Sequence, residues 1–137
     1  MDGDENPGVR RLNPAALAAP GGHYSHAVVA GGLVYVSGQL AITPQGLKLT
    51  EASFEQQATQ TLANVQAALE GAGSSVGQLV QVRVYIDSMD NWPAFNAVYA
   101  GWAGEARPAR AVVPTGPLHF GLKVEVEAVG LHKAVGA

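Results

Sequence analysis

Two short stretches near the C-terminal end carry the side chains with the most chemistry, Arg107-Pro108-Ala109-Arg110 and Lys123-Val124-Glu125-Val126-Glu127-Ala128. An arginine presents a rigid fork of N–H donors that grips a carboxylate through paired hydrogen bonds. A glutamate can position a water molecule and accept its proton. The second stretch alternates apolar and charged residues, the period of a half-buried strand. Val124, Val126 and Ala128 therefore face one side, and Lys123, Glu125 and Glu127 the other. A charged strand face, after a Pro-Ala-Arg lead into another β-like run, could put a guanidinium and a carboxylate in one pocket. The same residue types also allow a structural ion pair between Arg110 and Glu125 or Glu127, and a lone carboxylate on a polar strand face is by default solvated.

Other side chains are weaker candidates. His23 and His26 flank Tyr24, but loop histidines are more often surface residues than acid–base catalysts. Trp92 and Trp102 sit at helical spacing around Phe95 and Tyr99 and read as packing residues. Gly21-Gly22 and Gly31-Gly32 read as turns. No helix begins directly after either pair, as a phosphate-binding loop requires.

The elements that must position Arg110 and Glu125 follow from periodicity. Ser25 to Val29 reads as a strand ending at Gly31-Gly32, and Leu33 to Ser37 as its hairpin partner, with a further turn at Pro44-Gln45-Gly46. Ser53 to Leu69 reads as a helix. Phe54, Ala58, Leu62, Val65 and Leu69 form one apolar stripe, Ser53 with Gln56 fits a capping box, and Gly71 and Gly73 supply the stop. A strand over Leu79 to Asp87 should bury Val80, Val82, Val84 and Ile86. A second helix starts near Asp90 or Asn91 with Pro93 in its first turn, where a missing N–H costs little, and turns Phe95, Val98, Tyr99 and Trp102 inward. Ala109 to Val113 and Lys123 to Leu131 complete the sheet. The predicted order is β-β-α-β-α-β-β, an α+β sandwich with two helices on one face of a mixed sheet. Two helices leave the other face to water or to another subunit. A composition of 47% hydrophobic and 14% charged residues favours a subunit.

Composition narrows the function classes. A length of 137 residues fits one domain, expected over residues 12–137. The acidic, polar start Met1-Asp2-Gly3-Asp4-Glu5-Asn6-Pro7-Gly8 is unlike a signal peptide and reads as part of a disordered lead-in over residues 1–11. Without cysteine there is no disulfide, thiolate metal site or thiol catalysis, which fits a reducing cytoplasm. No apolar run approaches the roughly 20 residues of a membrane span. With a net charge of −3 and no basic cluster beyond Arg10-Arg11, no nucleic-acid partner is expected.

Several segments converge on one family. Gly22-His23-Tyr24-Ser25-His26, Tyr35-Val36-Ser37-Gly38-Gln39, Phe54-Glu55-Gln56-Gln57, Asn64-Val65, Gly71-Ala72-Gly73, Phe95-Asn96-Ala97-Val98-Tyr99, Pro108-Ala109-Arg110 and Val124-Glu125-Val126-Glu127-Ala128 resemble, in order and spacing, the Rid family of reactive intermediate deaminases. The family is also known as the YjgF or endoribonuclease L-PSP family. The resemblance covers nearly the whole chain. It implies a chorismate-mutase-like fold, a homotrimer whose sheets form an inner barrel, and pockets at the subunit interfaces. It also implies cofactor-independent, metal-free hydrolysis of enamines and imines such as 2-iminobutanoate to 2-oxo acids and ammonia. Residue by residue, Arg110 matches the arginine that holds the substrate carboxylate and Glu125 the glutamate that orients water. Tyr24 matches a pocket tyrosine, Gly38 a main-chain contact, and Asn96 an asparagine near the pocket. Val112 stands where active members commonly carry Cys, in a contact made largely by main-chain N–H. Leu118-His119-Phe120-Gly121 replaces a Leu-Pro-Lys-Asp pattern and puts His119 in the segment that should line the pocket. These departures bear on the substrate. The competing readings are a non-catalytic carboxylate-binding or regulatory trimer, a pathway-specific deaminase of the 2-aminomuconate type, and, against the acidic charge balance, an endoribonuclease.

Overall fold

The first helix forms where its end signals and its apolar stripe agree. In the computed structural model, which describes residues 8–133, helix α1 spans Phe54–Gly71. The Gln56 N–H donates to Ser53 Oγ and the Ser53 N–H donates to Gln56 Oε1, both at 3.1 Å, which closes a capping box. Phe54, Ala58, Leu62, Val65 and Leu69 are all buried. Gly73, at φ 93°, takes a backbone shape that favours glycine and carries the chain away from the helix. Truncating a fully buried residue of this stripe, as in Leu62→Ala, should cost about 2–5 kcal/mol. Helix α2, Trp92–Ala103, has Pro93 in its first turn and buries Phe95, Tyr99 and Ala103.

Six strands form one mixed sheet: β1 Arg10–Leu12, β2 Ala27–Ala30, β3 Leu33–Gln39, β4 Leu79–Ile86, β5 Ala109–Pro114 and β6 Val124–Leu131. Their spatial order is β1-β2-β3-β6-β4-β5. All neighbours are antiparallel except β4 and β5. Val34, Val36, Val82, Val84, Ile86, Val124, Val126 and Ala128 point to one face and form the core with both helices. The alternate residues, including Tyr35, Arg83, Tyr85, Val113, Glu125 and Glu127, lie on the opposite face, which no element of the described chain covers.

Three expectations change. Arg10 and Arg11, assigned above to a disordered lead-in, belong to β1 and pair with Val29 and Val28. The outer edge of β2 otherwise leaves its backbone groups without partners, and a third strand supplies them. Residues 1–7 lie outside the described residues. Val80, expected in the core, is 46% exposed. The pairing steps from Leu79↔Gly130 to Gln81↔Val129, so Val80 is the extra residue of a bulge and loses its inward alternation. The first hairpin strand begins at Ala27 rather than Ser25.

Candidate functional site

Glu125 lies opposite Tyr85 on the uncovered face of β6. Its carboxylate rests against β3, where the register slips between Val36 and Gln39. That bulge brings Gly38 so close that a Cβ there would overlap Glu125 Oε2 and fall 3.0 Å from its Cδ. Only a residue without a side chain leaves this space to the carboxylate. Burial raises the Glu125 pKa above its ordinary 4.5, Glu127 raises it further, and the nearby His119 opposes the rise. The result is a more basic carboxylate than a solvated one, as a general base at neutral pH needs.

Beside Gly38 opens a cavity of about 470 Å³, with Tyr24, Lys48, His119 and Phe120 on its walls and Leu40 and Ile42 among its apolar residues. Its frame is built by polar side chains. Asn64 of α1 donates to the carbonyls of Leu40 and Ile42 at 2.9 and 2.8 Å. His26, read from the sequence as a surface loop residue, is 7% exposed. Its Nε2 lies 2.7 Å from the Ala18 carbonyl, its Nδ1 lies 3.2 Å from Gln39 Nε2, and its ring meets that of Tyr24 edge-on. His26 is therefore a joint between the segment before β2 and the bulged end of β3. Its burial follows from pairing across the hairpin, which periodicity alone does not show.

Arg110 occupies different surroundings. It pairs with Val82 and so points to the helix face of β5, the edge strand. Its guanidinium lies 5.0 Å from the ring centroid of Trp92 and 4.8 Å from that of Tyr99, and its Nη1 donates to Asn96 Oδ1 at 3.4 Å. Burial raises the pKa of Tyr99, and the Arg110 charge opposes that rise. Asn96, Tyr99, Arg107 and Arg110 line a second cavity of about 440 Å³. No carboxylate pairs with Arg110 among the described residues, so the ion-pair alternative is not realised within the chain. Trp92 is as much a platform for Arg110 as a packing residue. Val112, two residues on, packs against the core and lines neither cavity.

One chain therefore does not put the guanidinium and the carboxylate in one pocket. Glu125 is level with Tyr85, Arg110 is level with Val82, and a three-residue offset along β4 reverses the face. Strand β4 also stands between them, and their Cα atoms are about 14 Å apart on an idealised sheet. Tyr24, Gly38, His119 and Glu125 form one half-site; Arg110 and Asn96 form another. Glu127 is a paired charge, as its residue type suggested: Tyr85 Oη donates to its carboxylate, and Arg83 Nη1 lies 3.6 Å from Oε2. No group of three or more His, Asp or Glu side chains suited to a metal ion occurs among the described residues.

Comparison with known proteins places these features in a family. Residues 14–131 match the family model of endoribonuclease L-PSP. The chain is 36% identical over 110 residues to a RutC family protein of Pyrococcus horikoshii, covering 80% of this chain and 87% of that one. The solved structure of RidA from the Antarctic bacterium Psychrobacter sp. superposes with a TM-score of 0.84 at 32% identity, over 89% of this chain and 98% of that one. E. coli TdcF, solved with bound serine, also gives a TM-score of 0.84, at 29% identity and the same coverage.

Proposed function

The chain belongs to the endoribonuclease L-PSP family, which includes the RutC, YjgF and RidA proteins, and on that premise we propose that it is an imine/enamine deaminase acting at sites shared between subunits of a homotrimer. The observation that carries this reading is Glu125. Its carboxylate is half-buried, its pKa is raised, and it is seated against a glycine at the edge of an apolar cavity. The serine bound by TdcF supports a small amino- or imino-acid ligand for the same fold.

The two half-sites account for the assembly. The uncovered sheet face needs a partner, and closed threefold symmetry supplies one to every subunit. In such a ring the edge strand of one subunit brings Arg110 and Asn96 to the Glu125 cavity of the next. Arg110 is already held over two aromatic rings, so its fork is ordered before a carboxylate arrives.

The reaction needs no cofactor. With the substrate carboxylate on Arg110, water adds to the electrophilic iminium carbon while Glu125 takes one of its protons. Glu125 then returns that proton to the amine of the carbinolamine. The C–N bond breaks, the remaining hydroxyl proton passes to the departing ammonia, and a 2-oxo acid and ammonium leave. Main-chain N–H groups near Gly38 and Val112 complete the polar contacts to the substrate.

The test uses imines generated in place by an amino-acid oxidase, with semicarbazide competing for them. The parent should divert the imine to 2-oxo acid. Glu125→Gln should keep 2-oxo-acid binding and lose hydrolysis by roughly 10²–10⁴-fold. Binding by the parent without hydrolysis would replace the enzyme with a carboxylate-binding trimer.

A further inference from the structure

Phe120 is the one residue other than glycine with a positive φ among the described residues, at 62°. A bulky side chain rarely adopts this backbone shape, and where it does the surrounding structure must enforce it. Here Thr50 Oγ1 donates to the Phe120 carbonyl at 2.9 Å, Gly121 continues the turn at φ 70°, and Lys48 Nζ lies 4.6 Å from the Phe120 ring centroid. The ring gains no core burial from this arrangement, since the residue is 53% exposed. It stands on the wall of the 470 Å³ cavity, the same cavity that Gly38 borders. A strained backbone that holds a large apolar ring out of the core and against a cavity is a candidate recognition element.

The cavity is also larger than a four-carbon imino acid needs. Its volume lies within the usual range for ligands of drug size, and Leu17, Ala18, Leu40 and Ile42 add further apolar surface. Resting on the deaminase reading above, we infer that Phe120 is the specificity-determining wall of this site, and that the preferred substrates are 2-imino acids with a large apolar side chain, aromatic ones above all. The substrate carboxylate goes to the arginine half-site, the iminium carbon stands at Glu125, and the side chain lies against Phe120. Lys48, on the same wall, lies against the ring and helps to hold it in place. Ring-on-ring contact then adds to apolar burial in favouring an aromatic substrate.

Phe120→Gly separates this role from a structural one, because glycine accepts the left-handed backbone freely while the ring is lost. Two ligand pairs report the effect. One is the imines formed from L-phenylalanine and from L-2-aminobutyrate, compared by kcat/KM. The other is phenylpyruvate and 2-oxobutanoate, compared by calorimetric Kd. In the parent both ratios favour the aromatic ligand. In Phe120→Gly both ratios should fall by roughly tenfold or more. Phe120→Asn, which also tolerates the backbone shape, should behave alike. Ratios that stay at the parent value would overturn the inference, as would loss of folding in both variants, which would make Phe120 a structural residue. If the parent hydrolyses neither imine but its phenylpyruvate preference disappears in Phe120→Gly, the recognition wall stands and the deaminase reading fails.

Discussion

Gly38→Ala tests the Glu125 site without touching a chemical group. A Cβ at position 38 overlaps Glu125 Oε2 and stands 3.0 Å from Cδ and 3.3 Å from Cγ. The backbone at Gly38 does not require positive φ, so alanine introduces no strain there. The atoms in the way are the far end of a flexible side chain, and the fold can absorb the change by moving the carboxylate by on the order of 1 Å. Misplacing a catalytic group by that distance costs about 10²-fold in rate. Gly38→Ala should therefore lose about 10²-fold in imine hydrolysis, while its melting temperature and 2-oxobutanoate affinity change little. A double-mutant cycle with Glu125→Gln decides whether the loss runs through the carboxylate. In the Glu125→Gln background, Gly38→Ala should cost almost nothing further. Full activity in Gly38→Ala, or an equal loss in both backgrounds, would refute the geometry.

Arg110→Ala should weaken binding of small 2-oxo acids by about 2–5 kcal/mol, and Arg110→Lys should also be impaired, as calorimetry would show. Light scattering should report a trimer at micromolar concentration; a stable monomer would remove the shared-site reading. If each site takes its arginine and its glutamate from different subunits, inactive Arg110→Ala and Glu125→Gln chains, co-expressed, should regain activity at about a quarter of the sites. No recovery in confirmed mixed assemblies would refute the shared-site reading. Because the Glu125 pKa is raised, the acidic limb of kcat/KM should lie above 4.5. Glu127→Gln, which removes a raising influence, should move it down, and His119→Asn, which removes a lowering one, should move it up. The same shift has a stability sign. The folded chain holds the Glu125 proton more tightly than the unfolded chain, so this contribution is greatest below the unfolded pKa and is lost as pH rises through the folded one. Glu125→Gln should accordingly raise the melting temperature at pH 7.

Where one local rule governs, the sequence is enough. Helix α1 announces itself because a cap, a period and a stop coincide, helix α2 by its apolar side and the proline in its first turn, and β6 by its alternation. Strand β1 is three residues long and begins with two arginines, so it has neither length nor alternation to mark it. Val80 is displaced by a bulge that exists only relative to β6. The arrangement of the site was the hardest to foresee. Strands β5 and β6 follow one another in the chain and would ordinarily be neighbours, yet β4 is inserted between them. That insertion separates Arg110 from Glu125, and the three-residue offset of their partners on β4 puts them on opposite faces. Lys48 and Phe120 carry no periodic signal, and only the closed turn beside Thr50 brings them to one wall.

The strand that carries Arg110 has a further property. Strand β5 ends the sheet, and an edge of free N–H and C=O groups invites indiscriminate pairing with other chains. Pro108 immediately precedes it and Pro114 closes it, and neither can donate a hydrogen bond. The edge is thus kept to a short segment with blocked ends, which limits indiscriminate pairing. A subunit that docks there must be recognised largely by shape and side chain, and the same prolines that guard the solitary chain against aggregation make its association selective.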